Sequence, residues 1–270
     1  MKNSPFAYVI SSKISALTFE ETINSIKGWV EANDKKKYVC VCNTHSLVTA
    51  SNDEKFSAAL ERASICTPDG MPLVWALKMF GYKKQDRVDG PDLMLNLCEE
   101  ASKHGYKIYL YGGTKETLER LNKILERKYP AINIVGSYSP PFRELEKKET
   151  EAILQEINSS QADFVFVSLG CPKQEKWMHD NYLNINSVLL GVGAAFNFIT
   201  GDIKRPPVII RKLGLEWFFR LLSEPKRLFK RYLYNNTLYI YKFVKTYIKN
   251  KKRNTLILSS NNIEGVKHHE

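Results

Sequence analysis

The segment from Phe164 to Trp177, FVFVSLGCPKQEKW, constrains the fold more than any other part of the chain. An apolar run is followed by a Gly/Pro break and then by a polar run with the pattern of a helix start. This order is typical of a buried parallel strand that leads into a helix. Lys173 and Gln174 then lie at the helix N-terminus, where free backbone N–H groups favour an anion. The segment predicts a phosphate-bearing ligand at the carboxyl edge of an open α/β sheet.

Strand and helix patterns alternate through the first 200 residues. Short apolar runs at residues 38–42, 64–67, 107–111, 132–136, 163–169 and 187–192 predict strands. The segments between most of these runs show helical periodicity, and Thr18 with Glu21 forms a capping box before the first helix. This alternation is typical of the α/β class, with a mostly parallel sheet and helices on both faces.

Positive charge is concentrated near the C-terminus, although the formal charge of the whole chain is +11. From Ile203 to Arg253 the chain has 15 Lys or Arg residues and two acids, whereas the remainder has 25 basic and 27 acidic residues. We predict an α/β domain at 1–203, a basic helical appendage at 204–253 and a disordered polar tail at 254–270. The asymmetry indicates a nucleic acid, an anionic membrane surface or a phosphorylated substrate.

The cysteines and the apolar segments indicate the compartment. The five cysteines show neither CxxC nor metal-ligand spacing, and such an odd set favours a reducing compartment. The N-terminus lacks a signal-peptide pattern, and no window reaches about 18 consecutive apolar residues. We therefore expect a protein on the cytosolic side of the membrane. No zinc spacing and no Asp-x-Asp diphosphate–metal motif occurs, so no bound metal is expected.

Two charged motifs carry candidate chemistry. Asp69, within Pro-Asp-Gly, directly follows a predicted strand, so its carboxylate would face a ligand at the sheet edge; a simple turn is the alternative. Arg87 lies in a charged run before a later helix, where it would bind a phosphate or pair with Asp69. For Asp89 and Asp92 in the same run we favour capping of the helix start.

Turns with small or polar residues follow other strands. Gly112 and Gly113 let the backbone approach a phosphate, but they also suit a tight strand-to-helix turn. The turn from Gly193 to Asn197 fits close approach to a base or ribose, and close helix–sheet packing explains it nearly as well. The substrate-binding candidates from these turns and helix starts are Asn43, Thr44, Gly112, Gly113, Lys173, Gly193 and Asn197.

The basic appendage interleaves aromatic residues with cations, as at residues 217–222 and 227–234. On a helix this pattern gives one apolar stripe and one basic stripe, which suits the headgroup layer of an anionic bilayer. Single-stranded RNA would use the same residues for stacking and phosphate contact. A helix packed on the main domain, with a solvated basic face, is the third alternative.

Seven motifs in order resemble the WecG/TagA/CpsF family of bacterial glycosyltransferases, from about residue 38 to residue 231. They are Asn43 at a strand end, Pro68-Asp69-Gly70, the run from Arg87 to Met94, Tyr111-Gly112-Gly113, the run from Gly170 to Trp177, Gly191-Val192-Gly193, and Lys204-Arg205-Pro206 followed by Gly214-Leu215-Glu216-Trp217.

The resemblance implies a Rossmann-like α/β fold and an inverting, metal-independent glycosyltransferase. The enzyme would move a hexose or N-acetylhexosamine, such as N-acetylmannosamine, from a UDP-sugar to a saccharide linked to a polyprenyl diphosphate such as undecaprenyl diphosphate. It would act peripherally on the inner face of the plasma membrane, in cell-wall, capsule or exopolysaccharide biosynthesis. UDP-sugar is then a substrate, no cofactor and no nucleic acid are expected, and formation of a homo-oligomer is left open.

The resemblance also implies roles for individual residues. Asp69 corresponds to the proposed general base, and Gln174 lies near the donor. The basic residues of the appendage correspond to Arg220, Arg227 and Arg231, which would hold the diphosphate when the appendage meets the membrane. Independently of the resemblance, we expect Arg87 to stabilise the departing UDP electrostatically and Arg205 to hold the diphosphate or meet the membrane. Departures from the family pattern are Asn197, where many members have Asp, Val41 in place of Thr, and Pro206-Pro207 in place of Ala-Pro.

Two other functional classes remain as alternatives at this point. A nucleotide-dependent oxidoreductase would use the same fold, but no GxGxxG with a downstream ribose-binding acid occurs. An RNA-binding module would use the basic C-terminal segment, and it predicts binding that weakens steeply with salt.

Overall fold

The computed structural model describes residues 4–212, 214–223 and 225–264 of the 270-residue chain. Its strands, in chain order, are β1 (Phe6–Val9), β2 (Ser12–Ser15), β3 (Tyr38–Cys42), β4 (Ile65–Pro68), β5 (Lys107–Gly112), β6 (Asn133–Tyr138), β7 (Phe164–Ser168) and β8 (Val188–Gly191). Strands β3 to β8 form a six-stranded sheet in the order β4-β3-β8-β7-β5-β6, in which each neighbouring pair is parallel. All six strands therefore end at the same edge.

Helices connect the strands and cover the sheet. In chain order they are α1 (Phe19–Glu31), α2 (Thr44–Ala50), α3 (Glu54–Arg62), α4 (Met71–Met79), α5 (Gly90–His104), α6 (Lys115–Lys128), α7 (Lys147–Ser159), α8 (Lys173–Asn181), α9 (Ala195–Thr200), α10 (Val208–Lys212), α11 (Glu216–Ser223) and α12 (Pro225–Glu264), with a short 3-10 turn at Tyr182–Asn184. The capping box of Thr18 and Glu21 is present at the start of α1, as the sequence predicts.

Two hydrophobic cores lie on opposite faces of the sheet. Alternate residues of one strand point to opposite faces, so Tyr109 belongs to one core and Ile108 and Leu110 belong to the other. Helices α2, α3, α4, α7 and α8 contribute to the first core, whereas α1, α5, α6 and α9 contribute to the second. The predicted α/β class, with a Rossmann-like parallel sheet and helices on both faces, is confirmed.

The antiparallel pair β1–β2 was not expected from the sequence. Ser15 of β2 accepts a hydrogen bond through Oγ from the Cys66 backbone N–H at 3.1 Å, which ties the hairpin to β4 at the edge of the main sheet. The hairpin therefore covers a sheet edge that would otherwise present unpaired backbone groups.

The middle of α12 packs on the α/β body. Tyr239 is buried and donates a hydrogen bond to the Pro72 carbonyl at 3.1 Å, and Phe243 contacts both Tyr239 and Phe80 through its ring. Lys242 donates to Ser51 Oγ at 2.5 Å. These contacts hold the C-terminal helices over the carboxyl edge of β3 and β4. The division of the chain at residues 203 and 253 stays a prediction.

Candidate active site

A narrow cleft opens at the carboxyl edge of β3, β4, β7 and β8. Its volume is about 120 Å³, whereas ligand pockets usually measure roughly 300–1,000 Å³. Side chains of Arg205 and Glu216, from the C-terminal segment, occupy one side of it. The other lining residues are Val41, Asn43, Ser46, Asp69, Arg87, Asp89, Gly90, Pro91, Cys171, Gln174, Val192, Gly193, Ala194, Ala195 and Phe198.

Asp69 lies just beyond β4, at the point where this strand meets β3. Its backbone N–H donates to the Cys42 carbonyl at 2.8 Å, which continues the parallel ladder by one residue. Arg87 donates to the Asp69 carboxylate at Oδ1, from Nη2 at 2.8 Å and from Nε at 3.2 Å. Within the described part of the chain, Oδ2 receives no hydrogen bond. Arg87 thus holds one oxygen of the carboxylate at the edge of the cleft.

The Arg87 guanidinium is surrounded by carboxylates. Besides Asp69, it contacts Glu216 Oε2 from Nη1 at 2.7 Å and Asp89 Oδ2 from Nη2 at 3.8 Å, and Nε also donates to the Asp69 carbonyl. Burial alone would lower the pKa of Arg87, but the negative charges of Asp69, Glu216 and Asp89 raise it above its usual value. Arg87 therefore stays cationic and connects the body of the protein to α11.

A hydrogen-bonded turn places Arg87 beside Asp69. The backbone N–H of Val88 donates to the Pro68 carbonyl at 3.1 Å, and Thr67 Oγ1 donates to the Val88 carbonyl at 3.0 Å. Val88 is itself buried, so both the packing and these two bonds fix Val88, which lies between Arg87 and the α5 cap residue Asp89. In the structure Arg87 pairs with Asp69, which is one of the two interpretations of this arginine from the sequence.

Asp89 and Asp92 begin α5 and bind arginines of the C-terminal segment. Asp89 caps the helix by accepting from the Asp92 backbone N–H at 3.0 Å, in agreement with the capping interpretation. Arg205 donates to Asp89 at 2.9 Å and to Asp92 at 2.6 Å, and Arg211 donates to Asp92 at 3.1 Å.

Burial and the nearby charge of Asp69 raise the pKa of Asp89. Burial acts in the same direction on Asp92, but its hydrogen bond from Arg205 and the arginine charges lower its pKa overall. Four acids and three arginines thus form one connected charge cluster beside the cleft. Its members are Asp69, Asp89, Asp92, Glu216, Arg87, Arg205 and Arg211.

The opposite wall of the cleft is formed by Gln174 and the turn after β8. Gln174 Oε1 accepts a hydrogen bond from the Gly193 backbone N–H at 3.1 Å, and Ser168 Oγ donates to the Gly193 carbonyl at 2.6 Å. Gly193 has a φ of +60°, a conformation that glycine adopts without strain. Side chains at this wall therefore join the start of α8, the end of β7 and the turn after β8.

The chain matches the model of the glycosyl transferase WecG/TagA/CpsF family over residues 7–253. It belongs to this family. The N-acetylglucosaminyldiphosphoundecaprenol N-acetyl-beta-D-mannosaminyltransferase of Bacillus spizizenii is 30% identical over 195 residues, which are 72% of this chain and 74% of that protein. The chain is therefore a glycosyltransferase, and the resemblance stated from the motifs is confirmed.

The cleft of this WecG/TagA/CpsF member brings together six of the residues predicted from the sequence. Asn43 lines it and also caps α2, where it accepts from the Ser46 backbone N–H at 3.2 Å. The other predicted residues in its lining are Asp69, Arg87, Gln174, Gly193 and Arg205. Their assigned roles in binding and catalysis stay predictions.

Five other predicted residues lie near the same edge but outside the lining of the cleft. Lys173 is exposed at the first position of α8, and Thr44 contacts Asn236 of α12. Asn197 is half-buried in α9, where its carbonyl accepts from the Ile203 backbone N–H at 3.1 Å. The remaining two are Gly112 and Gly113, at the end of β5.

Gly112 stands at a very close approach of two strands. Its φ is +116°, and a Cβ at this position would lie 2.4 Å from the Ser168 carbonyl oxygen of β7. Backbone packing between β5 and β7 therefore explains this glycine, whereas the alternative left open by the sequence was a tight strand-to-helix turn. Phosphate binding over this turn stays a prediction.

The side chains of three predicted appendage residues, Arg220, Arg227 and Arg231, lie outside the described residues.

Glu216 was not predicted as a site residue, although it belongs to the motif Gly214-Leu215-Glu216-Trp217 that supported the resemblance. An acid inside an otherwise basic segment is a usable signal, since that segment has only two acids from Ile203 to Arg253.

Proposed function

We propose that this glycosyltransferase transfers a sugar from a UDP-sugar to a polyprenyl-diphosphate-linked saccharide, with inversion at the anomeric carbon. The relative from Bacillus spizizenii is named for an N-acetylmannosaminyl transfer to an N-acetylglucosaminyl-diphospho-undecaprenol acceptor. An N-acetylmannosamine-like donor and an acceptor of that kind are therefore the first substrates to test. The single observation that carries the proposal is the Asp69 carboxylate, held at one oxygen by Arg87 inside the cleft.

Asp69 acts as the general base in this proposal. It removes the proton from the acceptor hydroxyl while that oxygen attacks the anomeric carbon from the face opposite to UDP. The bond between the sugar and the diphosphate breaks in the same step, and UDP leaves with the electron pair. A positioned base contributes about 100- to 10,000-fold to such a reaction.

Arginines supply the positive charge that the departing diphosphate requires. Arg87 is nearest to Asp69, and Arg205 lies on the same side of the cleft. Fixed cations in a partly buried site stabilise developing negative charge more strongly than in water. Among the described residues, no group of three His, Cys, Asp or Glu side chains is arranged to hold a metal ion. We propose a reaction that needs neither metal nor cofactor, with Arg220, Arg227 and Arg231 adding charge from the appendage.

The C-terminal helices dock on the inner face of the plasma membrane in this proposal. Exposed apolar side chains on α11 and α12 include Trp217, Phe218, Leu222 and Phe229, in a segment with 15 basic residues and two acids. Aromatic and aliphatic side chains beside Lys and Arg suit an anionic interface. No described helix has the length and apolar content needed to cross a bilayer. We propose that recruitment is peripheral and that the cleft meets the lipid-linked acceptor at the surface.

A donor screen tests the proposed function. The purified full chain is incubated with a synthetic polyprenyl-diphosphate N-acetylglucosamine acceptor and a panel of UDP-hexoses and UDP-N-acetylhexosamines, with and without EDTA. We expect transfer from an N-acetylmannosamine-type donor, with unchanged rate in EDTA and an inverted anomeric linkage by NMR. Retention of the anomeric configuration would contradict the mechanism, and so would transfer that occurs only with an added divalent cation.

The family match favours this function over the two alternatives from the sequence. These alternatives are a nucleotide-dependent oxidoreductase and an RNA-binding module. Thermal-shift measurements with UDP, NAD and an RNA oligomer separate the three classes, and we expect stabilisation by UDP.

A further inference from the structure

Glu175 is a buried carboxylic acid directly next to the cleft-lining Gln174. Only 1% of its surface is exposed, and Gln174 is 2% exposed. Glu175 Oε1 accepts a hydrogen bond from Gln174 Nε2 at 2.9 Å. Its other oxygen, Oε2, has no hydrogen-bond partner among the residues that the structure describes. Nothing in the proposed reaction uses this acid directly, so its presence at a buried position needs another reason.

The two neighbours of the Gln174 amide agree on its orientation. The Gly193 backbone N–H faces Oε1 at 3.1 Å, and the Glu175 carboxyl faces Nε2 at 2.9 Å. An amide rotated by 180° would place Nε2 against the Gly193 backbone donor, so this contact would become unfavourable whatever the protonation state of Glu175. The Nε2 group has two hydrogens, and one bond to Glu175 leaves the second for a ligand.

We propose that Glu175 is a positioning residue. Its hydrogen bond holds the Gln174 amide against the backbone N–H of Gly193, so that the second Nε2 hydrogen is presented to the substrate in a fixed direction. This inference rests on the proposed function, because it takes the cleft as the site of sugar transfer. Glu175 does not contact the cleft itself, and it acts through Gln174.

The surroundings of Glu175 make a merely structural role a poor explanation. Glu175 lies within electrostatic range of the thiols of Cys40 and Cys42 on β3 and of Cys66 on β4. A buried acid among thiols is costly, since burial disfavours the charged form. An apolar side chain would fill the same space without that cost, but it would not accept a hydrogen bond from Gln174.

The experiment is a double-mutant cycle of Glu175→Ala and Gln174→Ala, with Glu175→Gln as the conservative variant. We expect Glu175→Ala to lower kcat/KM roughly tenfold, the equivalent of one lost hydrogen bond. The same change made in the Gln174→Ala background should have little further effect, because the amide that it positions is absent. Glu175→Gln should stay within about threefold of the wild type, since its amide oxygen accepts the same bond.

A stability control separates positioning from folding. Ile157→Ala removes a fully buried side chain of α7, remote from the cleft, and it should lower Tm without lowering kcat/KM. Glu175→Ala with wild-type kcat/KM, or with the same loss in both backgrounds of the cycle, would overturn the proposal.

Crystal structures of Glu175→Ala and Glu175→Gln give a readout that does not depend on turnover. We expect the Gln174 amide to leave the Gly193 N–H in the alanine variant and to keep it in the glutamine variant. An unmoved Gln174 in Glu175→Ala overturns the positioning role even if the transferase activity is established. A wild-type protein that transfers no sugar, with Gln174 displaced in Glu175→Ala, instead overturns the proposed function alone.

Discussion

Glu216 of α11 lies 2.7 Å from the Arg87 guanidinium, the same group that holds the Asp69 carboxylate. Arg87 thus forms ion pairs both with an acid of the α/β body and with an acid of the C-terminal helices. Because Glu216 occupies Nη1 of Arg87, it takes a position that an anionic ligand would use. The small volume of the cleft, about 120 Å³, agrees with a site partly filled by its own side chains.

Glu216→Gln should therefore bind UDP more tightly. Removing the competing charge leaves Arg87 freer to bind a phosphate, and we expect the Kd for UDP to fall about three- to tenfold. Isothermal titration measures the Kd, with Glu99→Gln, an exposed residue paired with Lys103, as the control. Weaker UDP binding in Glu216→Gln would show instead that Glu216 holds Arg87 in its binding position.

Asp69→Asn should abolish turnover and preserve UDP binding. Asparagine keeps the size of the side chain but cannot accept a proton at the working pH, so kcat should fall by about 100-fold or more. Steady-state assays give kcat, and titration with UDP gives the Kd, which should change less than about threefold. Wild-type turnover in this variant would remove Asp69 as the base.

Glu175→Gln should change how stability depends on pH. Burial raises the pKa of Glu175 to about 7, whereas glutamate in an unfolded chain titrates near about 4.3. Between these values the folded state keeps a proton that the unfolded state releases, so the free energy of unfolding falls as pH rises toward 7. Glutamine does not titrate, so the free energy of unfolding of Glu175→Gln does not fall for this reason.

We expect the free energy of unfolding of Glu175→Gln, relative to the wild type, to rise by about 2.5 kcal/mol from pH 5 to pH 8. Urea denaturation at several pH values measures it, and exposed Glu126→Gln is the control. A difference between variant and wild type that stays constant with pH would contradict this prediction.

Gly112→Ala should destabilise the protein by about 2 kcal/mol or more. The added Cβ would lie 2.4 Å from the Ser168 carbonyl oxygen, and φ is +116°. Gly105→Ala is the matched control, because Gly105 also has a positive φ of +73° but has no atom within 4 Å of the added Cβ. We expect about 1 kcal/mol for the control, and equal losses in both variants would exclude a clash.

Replacing both Trp217 and Phe218 by Ser should weaken binding to anionic vesicles. Each buried aromatic side chain contributes roughly 1.5–3 kcal/mol, so we expect at least a tenfold weaker partition in flotation assays. Phe142→Ser is the control, since Phe142 is 94% exposed on the α/β body. Unchanged flotation of the Trp217/Phe218 variant would argue against docking through α11.

Local signals in the sequence were sufficient for the elements that end at the site. The apolar run at β7 followed by Gly-Cys-Pro-Lys-Gln predicted a strand, a turn and the start of α8, and the structure contains them there. Asp69 was predicted as a candidate because it directly follows a strand pattern, and Gln174 because it lies at a helix start after the Gly/Pro break. The capping role favoured for Asp89 was also readable from its position before α5.

Contacts between distant segments were not readable in this way. The order of the strands, the β1–β2 hairpin at the sheet edge and the pairing of Glu216 with Arg87 each depend on how whole elements pack. A charged residue in a helical pattern gives no sign of its partner, since any residue of opposite charge satisfies it equally well in the sequence.

The sequence by itself determined the α/β class, the candidate base and the family, because strand, turn and helix-start patterns are local and recur in order along the chain. Only the tertiary structure decided which of these residues share the cleft, which oxygen of Asp69 is held by Arg87, and that Gln174 is hydrogen-bonded to Glu175 and Gly193. The physical reason is that hydrogen bonds and ion pairs require specific distances and directions, and packing in three dimensions alone sets these.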